Sequence, residues 1–295
     1  MSWQPLLQPQ ARLSAAGLDD WYAALLARLG SPVPLELAML GGRLASSPGL
    51  AFFAGYQAAL RALWPSAPWT PGALCVTENR STRPADLHTR LSGLSLSGCK
   101  DFVTAAEAAD WWLVAAREEP PQQAPRLAVG VVRQGTPGVR LEALPALALM
   151  PDIGHARLHL DGAHCERLPG DGWDAYVKPF RSIEDLHVLS AVGAWLYGVG
   201  QESAWPQALQ LRLLALLAGC AETARQAPTQ AATHVLLAGL FAQMSALDGE
   251  LEAAFAAGPA SWAALWRRDK GLLGIAATAR AKRLDKALGV LGLPS

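Results

Sequence analysis

The chain has 295 residues, 51% apolar and 17% charged, with 25 basic side chains balanced by 25 acidic ones. That length and apolar content suffice for a large buried core, which excludes a disordered chain. The zero net charge gives no compositional basis for binding nucleic acid or an anionic membrane, and the low charge implies that a partner subunit covers some helix faces.

In chain order, residues 1–12 form a polar, Gln-rich lead, and residues 19–29 place Trp21, Leu25, Leu26 and Leu29 at helical spacing behind Asp19 and Asp20 as caps. Residues 35–45 make a second helix with Pro34 in its first turn. Pro48 opens a third through Phe52, Phe53, Tyr56, Leu60 and Leu63, ending before Pro65. The period then changes. Leu74-Cys75-Val76-Thr77 reads as a buried strand, and residues 78–90 as a polar loop. Leu94-Ser95-Leu96 and Lys100-Asp101-Phe102-Val103-Thr104 read as a hairpin turning at Ser97-Gly98, and residues 110–117 as a further strand. Alternation continues at 127–132, 139–142 and 155–160, so His155, Arg157 and His159 share one strand face.

From Ser182 onward the spacing is helical again. Residues 182–197 form a helix with Ser182 as N-cap and Asp185 three places on, followed by helices over 206–225, 229–257 and 261–291, the last with a candidate break near Gly271. The expected architecture is therefore α+β: N-terminal helices (1–72), a middle antiparallel β-barrel or sandwich (73–177) and a C-terminal four-helix bundle (178–295). Cys75, Cys99, Cys165 and Cys220 form no Cys-x-x-Cys pair and read as buried thiols in a reducing compartment. No basic leader with an apolar segment follows Met1, and no eighteen-residue apolar run is free of charge, Gly or Pro, so a cytoplasmic location is expected.

Three segments in order, Leu74-Cys75-Val76-Thr77-Glu78, Ser97-Gly98-Cys99-Lys100-Asp101-Phe102-Val103-Thr104 and Ala109-Asp110-Trp111-Trp112-Leu113-Val114-Ala115-Ala116-Arg117, resemble the acyl-CoA dehydrogenase family. That family carries a Thr-Glu-Pro loop, then a Gly-(Ser/Gln)-Lys-x-(Trp/Phe)-Ile-Thr strand and an Ala-Asp-…-Arg strand. The resemblance implies helices, a β domain and a helical bundle, the order already read from periodicity. It also implies FAD against the β domain and an acyl-CoA or acyl-carrier thioester beside it, in fatty acid metabolism. Carried over by position, Thr77 and Thr104 would hydrogen-bond the flavin edge and Phe102 would lie along the ring; the plain alternative for the threonines is ordinary β-branched strand residues. A homodimer or homotetramer is implied, or assembly with an active paralogue.

The sequence departs from the family at three places. Thr77-Glu78-Asn79-Arg80-Ser81-Thr82-Arg83 lacks the proline and glycines of the family loop, so Arg80 and Arg83 would crowd an acyl pocket or offer charge to another ligand, Arg83 being the candidate substrate contact. Residues 200–205 lack the Arg-x-x-Phe-Gly stretch that reaches the FAD diphosphate, and no Gln-x-x-Gly-Gly follows. The Tyr-Glu-Gly segment with the usual base is also missing. Glu184 is the substitute base, with Asp185 second, although both also suit the capping of a helix start.

His155, His159, His164 and Cys165 lack a carboxylate at metal-ligand spacing, and no metal is expected. Arg267, Arg268, Lys270, Arg280, Lys282, Arg283 and Lys286 form a basic tail that reads as a solvated helix face, with CoA phosphates as the functional alternative. Function is thus expected to be FAD-dependent α,β-oxidation of an acyl thioester. The alternatives are a catalytically degenerate family member serving as a structural partner subunit, and a flavin monooxygenase of the same fold.

Overall fold

Pro34 and Pro48 each occupy a first helical turn, where the missing N–H is not needed. The computed structural model, which describes residues 3–119 and 125–294, places four N-terminal helices: α1 (Gln4–Leu7), α2 (Leu18–Leu29), α3 (Pro34–Leu44) and α4 (Pro48–Leu63). Ser47 caps α4, its hydroxyl accepting the Leu50 N–H at 3.1 Å. Gly17, and not an aspartate, takes the N-cap position of α2; Asp19 and Asp20 lie inside its first turn, favourably placed for the helix dipole.

Among the described residues eight strands follow: β1 (Gly72–Cys75), β2 (Arg90–Ser92), β3 (Ser95–Thr104), β4 (Trp111–Glu118), β5 (Arg126–Arg133), β6 (Val139–Ala143), β7 (His155–His164) and β8 (Glu166–Arg167). They form one curled sheet in the order β6-β7-β3-β2-β4-β5-β8, with β1 also paired to β4. Most pairs are antiparallel, but β1 and β2 both run parallel to β4. The expected turn at Ser97-Gly98 does not form. β3 runs unbroken through it with a register shift against β7, and the hairpin turn lies instead between β2 and β3, at Gly93 (φ 60°). Gly98 is required for a different reason: its φ is 145°, and a Cβ there would stand 2.5 Å from Thr89 Oγ1.

The C-terminal region holds α5 (Lys178–Glu202), α6 (Gln207–Thr223), α7 (Ala231–Ser245), α8 (Asp248–Ala257), α9 (Ala260–Asp269) and α10 (Ala277–Leu291). Two of the four long helices expected from periodicity are broken, one where the spacing gives no sign of it and one at the candidate break near Gly271. One breaks at Ala246 and Leu247, the other at a tight turn over Lys270–Gly274, where buried Asp269 accepts the Met150 N–H at 2.9 Å. α5 begins before Ser182 because a wide turn over Trp173–Val177 winds directly into it. Ser182 is thus a buried helix-interior residue with its hydroxyl 3.4 Å from His234 Nδ1, and Glu184 and Asp185 are not first-turn caps.

Two cores meet on α4 and α5. Trp21, Phe53, Leu189, Trp195, Leu213 and Phe255 join the N-terminal helices to the C-terminal ones, while Tyr56, Trp111, Trp112, Phe180 and Ile183 join the sheet to α4 and α5. α3 and α5 touch backbone to backbone: a Cβ on Gly42 would lie 2.0 Å from the Ala191 carbonyl oxygen. Among the described residues no single helix is long and apolar enough to cross a membrane. The consequence for function is a seam, where α4 and α5 pass between the sheet and the outer helices.

Candidate functional site

At that seam a cavity of about 300 Å³ opens between β3, β7, α4, α5 and α10. Phe102 and Thr104 reach it because they are two residues apart on β3 and share a strand face. Register sets His155 of β7 directly across from Thr104, and the Phe102 and His155 rings lie 4.4 Å apart at 37°. Phe52, Leu149, Met150, Val188 and Phe241 supply apolar walls. Phe102 is 38% exposed, a large aromatic left uncovered at a cavity mouth.

The polar groups of this cavity are few and unusual. His155 is buried, its Nδ1 has no hydrogen-bond partner, and burial lowers its pKa, against a backbone hydrogen bond to Ile153, so the ring is neutral at physiological pH. Glu184 lies on the α5 wall and lines the cavity, half-buried. Burial, reinforced by the charge of Asp185 and opposed by Arg283, pushes its carboxyl up to about 8. Asp185 itself is ion-paired, with Arg280 Nη1 at 2.8 Å and with Arg283. Glu184 has no ion-pair partner among the described residues. Beneath them Tyr56 of α4 is buried, accepting the Leu74 N–H on its hydroxyl at 2.9 Å and in hydrogen-bond contact with Thr104.

Thr77 and Arg83 lie outside these walls. Thr77 continues β1 beside β3, its carbonyl accepting the Asp101 N–H at 2.9 Å. Asn79 and Arg80 take left-handed backbone conformations (φ 49° and 61°), with the Arg80 N–H on Asp101 Oδ2 at 3.1 Å, and this turn carries Arg83 to the exposed surface. Glu78, next to Thr77, is buried and ion-paired with Lys100, whose side chain is wholly buried. Sequence reading did not find His155, Tyr56 or this ion pair. The alternation over 155–160 groups His155 with the exposed Arg157, and only the pairing of β7 with β3 turns it toward the cavity. Gln201 and Glu202, in the segment lacking the family's arginine, hold the N-terminal region: Arg43 donates to Gln201 at 2.7 Å and Arg12 pairs with Glu202 at 3.0 Å.

No protein-family model matches the sequence, and a search of curated proteins gives no match. Solved structures do match. FkbI, of methoxymalonyl extender-unit biosynthesis for the polyketide Fk520, superposes with a TM-score of 0.64 at 19% identity, covering 94% of this chain and 96% of its own. Butyryl-CoA dehydrogenase from Megasphaera elsdenii gives 0.62 at 14% identity over 89% of this chain and 84% of its own. The fold is that of the acyl-CoA dehydrogenases. PigA in complex with FAD gives 0.63 at 16% identity over 92% of this chain and 90% of its own. At these identities the likeness establishes the fold, and chemistry has to be argued from the site's own residues.

Proposed function

We propose that the protein is a flavin-dependent oxidoreductase acting on an acyl thioester, with FAD as the flavin. The observation that carries this reading is the convergence of Phe102, Thr104 and Glu184, from two strand positions and a helix, on one apolar cavity. The residues suit a flat heteroaromatic ring: Phe102 offers an uncovered face, Thr104 a hydroxyl at the cavity wall, and His155 an unpartnered buried nitrogen. PigA, a structural neighbour, holds FAD.

When bound, a flavin supplies the acceptor for the substrate's β-hydride. The chain supplies the rest. Thr104, the one of the two threonines that lines the cavity, would meet the ring edge where negative charge develops. Glu184 takes the α-proton onto its carboxylate, for which a pKa of about 8 places it close to neutrality. The walls from Phe52, Val188 and Phe241 exclude water from the acyl chain.

The test is the visible spectrum of the purified protein supplied with FAD, followed by anaerobic addition of an acyl-CoA. Bound flavin that bleaches in the wild type, and binds without bleaching in Glu184→Gln, is the expected result. Protein that stays colourless with FAD overturns the reading and leaves that of a partner subunit without turnover.

A further inference from the structure

A separate cavity of about 130 Å³ lies between α4, α5, the end of α6 and the start of α7. None of its lining residues lines the first cavity. Ala62, Ile183, Leu186, Pro228 and Leu237 make its walls largely apolar, and among the described residues no carboxylate, lysine or arginine lines it. Its distinctive polar group is His187 of α5, whose side chain the proposed chemistry does not use.

His187 is only 5% exposed, and the chain fixes its tautomer. Nδ1 stands 2.7 Å from the Ile183 carbonyl oxygen, one turn back on α5. A carbonyl only accepts, so Nδ1 carries the proton and Nε2 the lone pair. Burial lowers the pKa to about 4, against the bond to Ile183, so the ring is neutral at physiological pH. Nε2 has no hydrogen-bond partner among the described residues. The hydroxyls around the cavity are committed elsewhere. Thr223 Oγ1 donates to the Gly219 carbonyl at 2.9 Å and Thr233 Oγ1 to the Ala227 carbonyl at 2.7 Å, while Ser182 Oγ stands 3.4 Å from His234 Nδ1. A buried acceptor is thus left without a donor, which costs free energy until something supplies one.

We infer that this cavity is a binding site for a small uncharged molecule of about the size of phenol, which donates its hydroxyl proton to His187 Nε2 and lays its apolar body against Leu186 and Leu237. The volume is close to that of cavities of roughly 150 Å³ that take up benzene. An anion would find no cation in the lining, and an ammonium no carboxylate. Water could satisfy Nε2 but would leave the apolar walls facing a polar occupant. The inference does not rest on the flavin reading, since the two cavities share no residue.

Titration of the full ¹⁵N-labelled chain with phenol and with toluene, which replaces the hydroxyl by a methyl group, tests it. Phenol is expected to bind saturably, to move the His187 Nε2 resonance, and to bind about ten-fold more tightly than toluene, which leaves the acceptor unpaired. His187→Phe keeps a ring without the acceptor and should abolish that preference. Ala62→Leu narrows the cavity from α4 while leaving His187 in place, and should weaken both ligands by about ten-fold or more. No saturable binding overturns the site and leaves a cavity that holds water only. Phenol binding no tighter than toluene, or leaving the Nε2 resonance unmoved, overturns the role of His187. Binding unchanged in Ala62→Leu places the ligand elsewhere and overturns the cavity assignment.

Discussion

Phe102 and His155 hold their rings 4.4 Å apart on neighbouring strands, and the pair forms the sheet-side wall of the first cavity. His155 is buried behind Phe102, whose own ring is the uncovered member, so Phe102 contributes more to a bound planar ligand than to the empty fold. Phe102→Ala is therefore expected to leave the melting temperature nearly unchanged. It should weaken flavin binding by about three- to ten-fold, the equivalent of an aromatic contact worth about 0.5–1.5 kcal/mol. Fluorescence quenching on titration with FAD measures it.

Glu184 sets a pH dependence whose direction follows from its raised pKa. The base is competent only when ionised, so kcat/KM for the free protein should rise with pH through about 8. Glu184→Gln should remove that limb and lower kcat by roughly 10²- to 10⁴-fold. Stability gives a readout independent of turnover. Between the unfolded value of 4.5 and about 8 the folded state holds the proton that the unfolded chain has released, so this group's contribution falls as pH rises through that window. The Gln variant should accordingly melt higher than wild type at pH 8 and no higher at pH 4. Equal melting differences at both pH values would contradict a buried, uncompensated carboxyl.

The helices and most strands were legible because their apolar periods are strong: α3, α4, β4 and β5 fall close to where spacing and proline placement put them. Position 98 misled because a glycine after serine signals a turn, whereas here it admits the Thr89 backbone into an unbroken strand. Ser182 misled because a cap signature inside a longer helix has no marker of its own, and the wide turn at Trp173–Val177 carries none either. Phe102, Thr104 and Glu184, which line the first cavity, could be named from the sequence because each sits in or near a short motif, but Thr77 and Arg83, named the same way, do not line it. Tyr56 and His155 could not, because their roles exist only through the packing of α4 under β1 and of β7 beside β3.

Tyr56 connects the site to the fold beneath it. Its hydroxyl satisfies the Leu74 N–H and stands against Thr104, in a position where water has no access. Tyr56→Phe preserves the ring contacts with Phe52 and Phe180 but leaves that N–H unpaired, at a cost of about 1–3 kcal/mol. It also removes the hydroxyl that stands against Thr104 at the cavity wall. The variant should therefore show a lower denaturation midpoint together with weaker FAD binding. Tyr56→Phe with unaltered FAD affinity would show that Thr104 does not depend on it.

The buried pair of Glu78 and Lys100 fixes the strand end that carries Thr77. Lys100 Nζ also donates to the Val76 carbonyl at 3.2 Å, while Glu78 accepts the N–H of Thr89 at 3.1 Å and that of His88. Burial pushes the Glu78 carboxyl up, but Lys100 and these hydrogen bonds outweigh it and hold the group below its ordinary value. The Glu78 contribution is thus present above pH 4.5 and is lost as pH falls through the lowered folded value, whereas burial lowers the Lys100 pKa against the pull of Glu78. Lys100→Met removes the cation and strands a desolvated carboxylate, which should cost about 3–5 kcal/mol in urea denaturation. Adding Glu78→Gln to that variant removes the stranded charge while keeping an oxygen for Thr89, so the double variant should recover much of the loss at pH 7. At acid pH, where Glu78 is protonated in either state, the single and double variants should converge. A double variant no more stable than Lys100→Met at pH 7 would place the cost in packing and the lost Val76 contact, and not in the unpaired carboxylate.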